Sequence, residues 1–399
     1  MKINVITGGL CAARGVKAYG IKEGNKGLAV IEGEGTATGV FTSNKLSAAP
    51  VRFTRQQLRQ EGRISAIIAN SGCANSFTGE PGWRDAERMA ELLAARLGVP
   101  QPEVAVASTG PIGLKLDMRL IERQLGVVTQ GLTAEPAGST AAAKAIMTTD
   151  TFHKEAAVLI EPDDGAQAAI GGIAKGSGMI SPQMTLATML CFIYTDAQIT
   201  LDALSRSLQE AVDHSFNMTV VDGDMSTNDM VVLVATGQRG KISEPDFTAG
   251  LTTVCQQLAQ LIARDGEGAT KFVEVKVIGT SYAADAREVA RAIVRSPLIK
   301  SAIFGERPDL TCGRIISTIG SAAISWDIDP QGVSIRLKSD REFLAVRDGA
   351  FMDLSGVARE VMKGKELRIE VDLGMGDGAE ATAWGCDLSY EYVRINAVH

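Results

Sequence analysis

The spacing of apolar residues predicts that strands and helices alternate along most of the chain. Short apolar runs bounded by glycine and polar residues are typical of strands. Such runs occur at 28–35, 39–43, 64–70, 103–108, 154–161, 168–174, 186–197, 230–237 and 271–279. Between two of them, residues 83–98 repeat their apolar positions with the helical period, and Gly98 marks the end of this predicted helix.

Two further amphipathic segments, 201–216 and 246–266, are also predicted to be helices. In the last third of the chain we expect short strands at 333–339, 365–374 and 379–395, with a few helices among them. Strands and helices that are intermixed in this way predict an α/β fold in which helices are layered on mixed sheets. No linker rich in proline, glycine or serine divides the 399 residues.

The composition is that of a globular protein, with 45% hydrophobic and 22% charged residues. The net charge of −7 and the lack of a basic block argue against a nucleic-acid partner. No apolar run is long enough to span a bilayer. The apolar part of the first ten residues is too short and too rich in glycine for a signal peptide, and the six cysteines are scattered. We therefore expect a cytoplasmic protein with reduced thiols.

The segment 175–197, KGSGMISPQMTLATMLCFIYTDA, joins a glycine-rich loop to an apolar run near Thr188. If the backbone is cut between Ala187 and Thr188, the threonine gains a free α-amine beside its own hydroxyl. Such an amine has a pKa of roughly 7.7–8.0 and can accept the hydroxyl proton near neutral pH. With three histidines in the chain, a histidine-based triad is a weaker hypothesis. A threonine in a buried strand is more often an ordinary core residue, so the residues alone leave both interpretations open.

A series of motifs, in one order along nearly the whole chain, resembles the ornithine acetyltransferase (glutamate N-acetyltransferase, ArgJ) family. The motifs are GVFTSN (39–44), AAPV (48–51), NSGCANSFTG (70–79), STGPIG (108–113), MTTDT (147–151), KGSGMI (175–180), SFNMTVVDGDMSTND (215–229), DGEGATKF (265–272) and AWGCDLSYEYVRINA (383–397). Two residues more than in the family pattern precede Ala187. Because TMLCFIYTDA then matches without a gap, the resemblance assigns the nucleophile to Thr188 rather than Thr185, and the cleavage to Ala187–Thr188.

The resemblance also implies an oxyanion hole made by the Thr109 hydroxyl and the Gly110 backbone N–H. Acyl transfer passes through an oxyanion, and one fixed donor to it is worth about 3 kcal/mol. Taken alone, STGPIG would be interpreted as an ordinary turn after a strand.

Substrate contacts are implied for Thr151, Lys175, Glu267 and Asn396, besides Thr188 itself. The substrate would be an N-acetyl amino acid, with Lys175 as the partner of its carboxylate. Glu267 would hold an ammonium group or tune the Thr188 amine. Thr149 is near enough to Thr151 to leave that register open, and the hydroxyl residue usual at the family's C-terminus is not found in the NAVH ending.

Three acids in VDGDMSTND (Asp222, Asp224 and Asp229) lack the spacing and the closing glutamate of a calcium loop. We interpret the segment as a structural turn between strands and assign no metal and no organic cofactor.

Family membership would imply a layered αββα core, like that of N-terminal nucleophile hydrolases, plus a smaller α/β domain. The mature protein would be an α chain (1–187) and a β chain (188–399) that interleave and associate as a heterotetramer or a larger assembly. The reaction would be ping-pong, with acetyl passing from N2-acetyl-L-ornithine to Thr188 and then to L-glutamate, in arginine biosynthesis. Three alternatives stay open: an enzyme that also uses acetyl-CoA, a hydrolase related to aminopeptidases, and an uncleaved binding protein.

Overall fold

The computed structural model of the chain describes residues 1–163, 165–181, 189–376 and 378–398. These residues form two compact units. The larger unit comprises 1–176, the described residues of 182–217, and 225–258. The smaller unit comprises 177–181, 218–224 and the described residues of 259–399.

The strands are numbered in chain order. They are β1 (Lys2–Val5), β2 (Lys17–Glu23), β3 (Lys26–Phe41), β4 (Arg63–Ser71), β5 (Val104–Thr109), β6 (Lys154–Glu161), β7 (Ala168–Lys175), β8 (Leu190–Thr195), β9 (Thr219–Val220), β10 (Met230–Ala235), β11 (Phe272–Thr280), β12 (Ser334–Lys338), β13 (Glu342–Arg347), β14 (Ala350–Phe351), β15 (Glu366–Asp372) and β16 (Ala379–Cys386).

The helices are α1 (Ala49–Glu61), α2 (Gly79–Leu97), α3 (Met118–Gly131), α4 (Pro136–Ala145), α5 (Leu201–Asp213), α6 (Glu244–Arg264), α7 (Ala283–Arg295), α8 (Pro297–Phe304), α9 (Pro308–Ser321), α10 (Val357–Met362) and α11 (Tyr390–Val398). Among the described residues, no helix is both long enough and apolar enough to cross a bilayer.

The larger unit is built on a mixed sheet with the strand order β1-β6-β7-β8-β10-β3-β4-β5, and β2 pairs with β3 as well. Strands β7, β8 and β10 are buried along their whole length, which explains their nearly continuous apolar sequences. The predicted helix at 83–98 is α2, which ends at Gly98 in the left-handed conformation. Its residues Met89 and Leu93 pack in one apolar cluster with Val106 of β5.

The strands predicted separately at 28–35 and 39–43 are a single strand, β3. A register irregularity between Glu32 and Gly35 interrupts its pairing with β4. One end of β3 pairs with β4 and the other end pairs with β10. Residues 36–38, left between the two predicted strands, pair with β10, and the irregularity at 32–35 is a bulge, where a strand can bend without ending.

The smaller unit is built on a second mixed sheet, in the order β14-β13-β12-β15-β11-β16-β9. Its strand β11 lies parallel to β15 and antiparallel to β16. With two mixed sheets and helices between their strands, the predicted α/β class with a smaller second unit is confirmed.

The prediction of a strand through 379–395 is wrong in its second half. Strand β16 ends at Cys386, and helix α11 begins at Tyr390. The Ser389 hydroxyl accepts a hydrogen bond from the Glu391 N–H, which satisfies a donor that the first turn of the helix leaves open. Two of the residues that suggested a strand, Tyr390 and Val393, are exposed on the helix instead.

Candidate active site

The predicted cleavage pair, Ala187 and Thr188, and the rival Thr185 lie outside the described residues. The description resumes just after them, and β8 begins at Leu190, two positions beyond Thr188. Leu190 is paired with Lys175 at the end of β7 and with Met230 at the start of β10. Neighbouring strands lie about 4.8 Å apart. Lys175, one of the predicted substrate contacts, therefore lies beside the start of β8.

Thr109 and Gly110 form the turn that follows β5. The Thr109 side chain is nearly buried at 9% exposure, and its hydroxyl makes no hydrogen bond to any residue in the described part of the chain. Gly110 has φ 136°, and a Cβ there would lie 2.5 Å from the Cys73 nitrogen. The backbone at this position consequently requires glycine. Among the described residues, none uses the Thr109 hydroxyl as a hydrogen-bond donor.

The turn after β5 is held against the segment that follows β4. The Cys73 N–H donates to the Thr109 carbonyl at 3.1 Å, and the Ala74 N–H donates to the Pro111 carbonyl at 3.1 Å. In the opposite direction, the Gly113 N–H donates to the Ser76 carbonyl at 3.0 Å. We call residues 109–113 the donor turn and residues 72–76 the supporting segment. Together these bonds fix the backbone that carries the Thr109 hydroxyl.

Lys175 lies close to a buried carboxylate that the sequence analysis missed. The Asp150 side chain is fully buried and forms an ion pair with Lys154 at 2.6 Å, and it accepts the Gly176 N–H at 2.7 Å. Burial alone would raise the pKa of Asp150, but the positive charges of Lys175 and Lys154 hold it well below its ordinary value. Asp150 is therefore ionised at neutral pH and connects segment 147–151 with the end of β7.

Thr151 directly follows Asp150, whose carboxylate is close to Lys175, so two of the predicted substrate contacts lie in one region. Thr151 is exposed. Thr149 is on the other side of Asp150 and is half-buried. The signal for Asp150 was present in MTTDT. However, the sequence could not show that Lys154 and Lys175 converge on it, because 21 positions separate the two lysines.

Glu267 and Asn396, predicted as separate contacts, meet in the smaller unit. The Asn396 Nδ2 donates to Glu267 Oε2 at 2.7 Å. Gly178 packs against the same carboxylate, since a Cβ at that glycine would lie 2.3 Å from it. The Glu267 N–H donates to the Ser177 carbonyl at 3.0 Å. The KGSG loop and the C-terminal helix α11 thus both contact the carboxylate of Glu267 or its backbone.

Asp222 lies between β9 and β10, in the stretch that the sequence predicted to be a structural turn between strands. Its carboxylate accepts the N–H groups of Met179 at 2.6 Å and Ile180 at 2.9 Å. Burial raises the pKa of Tyr392, and the nearby charges of Asp222 and Glu267 raise it further, so its hydroxyl stays protonated. In the described ranges, no three histidine, cysteine, aspartate or glutamate side chains are grouped as metal ligands would be.

The predicted residues thus lie in two sets. Thr109, Gly110, Thr151 and Lys175 belong to the larger unit, and Glu267 and Asn396 belong to the smaller one. The first set contains the Thr109 hydroxyl, which no described residue binds, and the buried Lys175 beside the start of β8. The second set contains the buried carboxylate of Glu267 and the amide of Asn396.

Comparison with known proteins shows which class of enzyme the chain resembles. A Methanosarcina mazei protein named glutamate N-acetyltransferase is 50% identical over 98% of this chain and 98% of its own length. A Synechococcus protein named arginine biosynthesis bifunctional protein ArgJ is 44% identical over 98% of this chain and 97% of its own length. The class is therefore that of acetyl-transferring enzymes of arginine biosynthesis. A model of the ArgJ family matches residues 13–399, and the chain belongs to this family, as its motifs predicted.

Two solved structures also match part of the chain. The arginine biosynthesis bifunctional protein ArgJ of Bacillus halodurans is 35% identical, covers 46% of this chain and 99% of its own, and has a TM-score of 0.43. The ornithine acetyltransferase of Mycobacterium tuberculosis, solved in complex with ornithine, is 35% identical with the same coverage and a TM-score of 0.42.

Proposed function

We propose that this chain is a glutamate N-acetyltransferase that cleaves itself between Ala187 and Thr188 and then carries acetyl on the Thr188 hydroxyl. It takes the acetyl group from N2-acetyl-L-ornithine and gives it to L-glutamate. Membership of the ArgJ family supports the reaction class. The observation that carries the choice of site is the register of β8, since Lys175 pairs with Leu190, two residues after Thr188.

Self-cleavage requires no group from outside the chain except water. The Thr188 hydroxyl attacks the carbonyl carbon of Ala187, the peptide C–N bond breaks, and the acyl chain passes from nitrogen to oxygen as an ester. Water hydrolyses the ester, which leaves a carboxylate on Ala187 and a free α-amine on Thr188. The products are an α chain (1–187) and a β chain (188–399).

In the mature enzyme the α-amine of Thr188 acts as the general base. It accepts the hydroxyl proton while the oxygen attacks the acetyl carbonyl of acetylornithine. The amide C–N bond breaks, the proton passes to the departing nitrogen, and ornithine leaves an acetyl ester on Thr188. The amine of glutamate then attacks this ester and releases the threonine hydroxyl. Neither half-reaction requires a redox or acyl-carrier cofactor.

The described residues have separate roles in this scheme. Thr109 and Gly110 donate to the oxyanion of each tetrahedral intermediate, a role supported by the Thr109 hydroxyl, which no described residue binds. Lys175 pairs with the substrate carboxylate, with Thr151 beside it. Glu267 and Asn396, which are hydrogen-bonded to each other, contact the amino acid part of the substrate.

A second acetyl donor is the nearest alternative. Relatives of the chain carry two kinds of name, glutamate N-acetyltransferase and the bifunctional protein ArgJ. Purified enzyme is therefore assayed for N-acetylglutamate with either acetylornithine or acetyl-CoA as the only donor. Product from acetylornithine alone identifies a monofunctional enzyme, and product from both donors identifies a bifunctional one.

Self-cleavage is tested by intact mass under denaturing conditions. We expect the wild type to give two fragments that meet between residues 187 and 188. Thr188→Ala removes the attacking hydroxyl and should remain a single inactive chain. Thr185→Ala is the matched control and should cleave and transfer normally. A wild type that is active as one uncleaved chain contradicts the proposal, and an inactive uncleaved wild type favours a binding protein.

A further inference from the structure

Asn228 lies two residues before β10 and is buried, with 6% of its surface exposed. We infer that Asn228 is a positioning residue, which holds the donor turn in the geometry that acetyl transfer requires. This inference rests on the proposed function and adds a residue to which no role has been assigned. In this scheme Asn228 does not touch the reacting atoms. It acts through the backbone of residues 108–113, which carries the Thr109 hydroxyl.

The two hydrogen atoms of the Asn228 amide go to the two segments that form the site. Nδ2 donates to the Ser108 carbonyl at 2.9 Å, directly before Thr109. It also donates to the Ala74 carbonyl at 2.6 Å, in the supporting segment. One side chain therefore spans both halves of the structure that presents the Thr109 hydroxyl.

The amide is itself held in one orientation. Its Oδ1 accepts the Thr227 hydroxyl at 2.7 Å, and the Thr227 oxygen accepts the Ser76 hydroxyl at 2.8 Å. The hydrogen bonds thus run from Ser76 through Thr227 and Asn228 to the carbonyls of Ala74 and Ser108. Because both hydrogens and the oxygen of the amide are used, a flipped amide would lose three bonds at once.

These contacts join parts of the sheet that are not neighbours. Strands β3 and β4 lie between β10 and β5 in the strand order, yet Asn228 reaches from the start of β10 to the end of β5. Met230, two residues after Asn228, pairs with Leu190 at the start of β8. Asn228 therefore connects the donor turn to the strand end that follows Thr188 in the chain.

Neither aspartate nor alanine in place of Asn228 preserves this pattern of hydrogen bonds. An aspartate has the same shape but would place a carboxylate against two carbonyl oxygens. An alanine would leave two buried carbonyls without these donors. In both variants we expect the donor turn to move by a fraction of an ångström. Such a shift weakens hydrogen bonds to the transition state more than it weakens ground-state binding.

The experiment measures kcat and KM for acetyl transfer from acetylornithine to glutamate, per mole of cleaved enzyme. We expect Asn228→Asp and Asn228→Ala to lower kcat by about 10- to 100-fold. This loss is smaller than the loss expected when an oxyanion donor itself is removed, because the Thr109 hydroxyl is still present. The KM values of both substrates should stay within about two-fold, because the substrate contacts are elsewhere. A purely structural role would instead reduce the folded fraction and leave kcat per folded enzyme unchanged.

Two variants of Thr227 keep the inference testable if the Asn228 variants do not fold or do not cleave themselves. Thr227→Val removes the hydroxyl that orients the amide and should lower kcat, whereas Thr227→Ser keeps the hydroxyl and should restore it. Thr54→Val is the matched control for stability. The Thr54 hydroxyl is buried and binds the Val106 backbone on β5 without reaching the donor turn, so its loss should lower stability and leave kcat unchanged.

Wild-type activity separates the two proposals. If the wild type transfers acetyl but the Asn228 and Thr227→Val variants keep its kcat, the positioning role is wrong and the proposed function stands. The same conclusion follows if their KM rises while kcat does not change. A wild type without any acetyl transfer overturns both.

Discussion

Thr109 illustrates how much depends on a single hydroxyl. The side chain ends a strand and is nearly buried, but its hydroxyl is bound by no other residue that the structure describes. Because no described residue accepts from this hydroxyl, it is available to donate to a ligand group. The sequence pointed to this position through the STGPIG motif and could not show that no described residue binds the hydroxyl.

Thr109→Val should lower kcat by about 10²- to 10³-fold, the usual cost of removing one donor to an oxyanion. The valine has almost the same shape, so folding should not suffer, and Thr109→Ser should retain most of the activity. Steady-state kinetics with acetylornithine and glutamate measure the effect. A valine variant with wild-type kcat would exclude Thr109 from the oxyanion hole.

At the scale of elements, Asp150 links three segments. Its carboxylate binds Lys154 on β6 and the Gly176 N–H at the end of β7, and it accepts the Thr148 N–H at 3.0 Å. Removing one partner of a buried ion pair typically costs about 3–5 kcal/mol, because the other charge stays buried. A substitution of Asp150 should therefore destabilise the ends of both β6 and β7.

The pH dependence of stability tests this role of Asp150. Its folded-state pKa lies below the unfolded value of about 3.9, so the ionised carboxylate stabilises the fold above that pH. The stabilisation is lost as the pH falls towards the folded pKa. We expect Asp150→Asn to lower the free energy of unfolding at pH 7, and the difference from wild type to narrow below about pH 4. Urea unfolding of both proteins at pH 7, 4 and 3 measures this difference in the free energy of unfolding.

Asp309 provides a control of the same residue type. A hydrogen bond from Arg307 lowers the pKa of Asp309 to about 2, but both side chains are about half exposed. Because exposed ion pairs contribute about 0–1 kcal/mol, Asp309→Asn should change stability little at any pH. If Asp150→Asn and Asp309→Asn lowered the free energy of unfolding equally, the buried ion pair would not have the stabilising role assigned to it.

At the scale of the whole molecule, the proposed cleavage falls between two paired strands. Strand β7 precedes position 187 and β8 follows position 188, and the two pair antiparallel from Ile170 with Thr195 to Lys175 with Leu190. Both strands are buried throughout. The smaller unit contains residues from both sides of the proposed cleavage position, because 177–181 belong to it together with 218–224 and the described residues of 259–399.

We therefore expect the α and β fragments to stay together after cleavage. Native size-exclusion chromatography should give one species containing both, and the fragments should separate only after denaturation. The buried ladder between β7 and β8 is the physical reason, because its separation would expose a central part of the sheet. Fragments that separate under native conditions would contradict the proposed two-chain enzyme.

Several features followed from the sequence because they depend on local order. The helical period and Gly98 defined the end of α2, and the continuous apolar runs of β7 and β10 matched buried strands. The motifs placed the chain in its family and selected Thr109, Lys175 and Glu267. These assignments needed only neighbouring residues, and the short-range patterns contain that information.

Tertiary structure decided what depends on distant residues. It merged two predicted strands into β3, because both halves find partners in one sheet, and it brought Asn396 of helix α11 to Glu267. It also brought Lys154 and Lys175 to Asp150, and Asn228 to the carbonyls of Ala74 and Ser108. Each of these outcomes depends on contacts made across the fold, which no local pattern encodes.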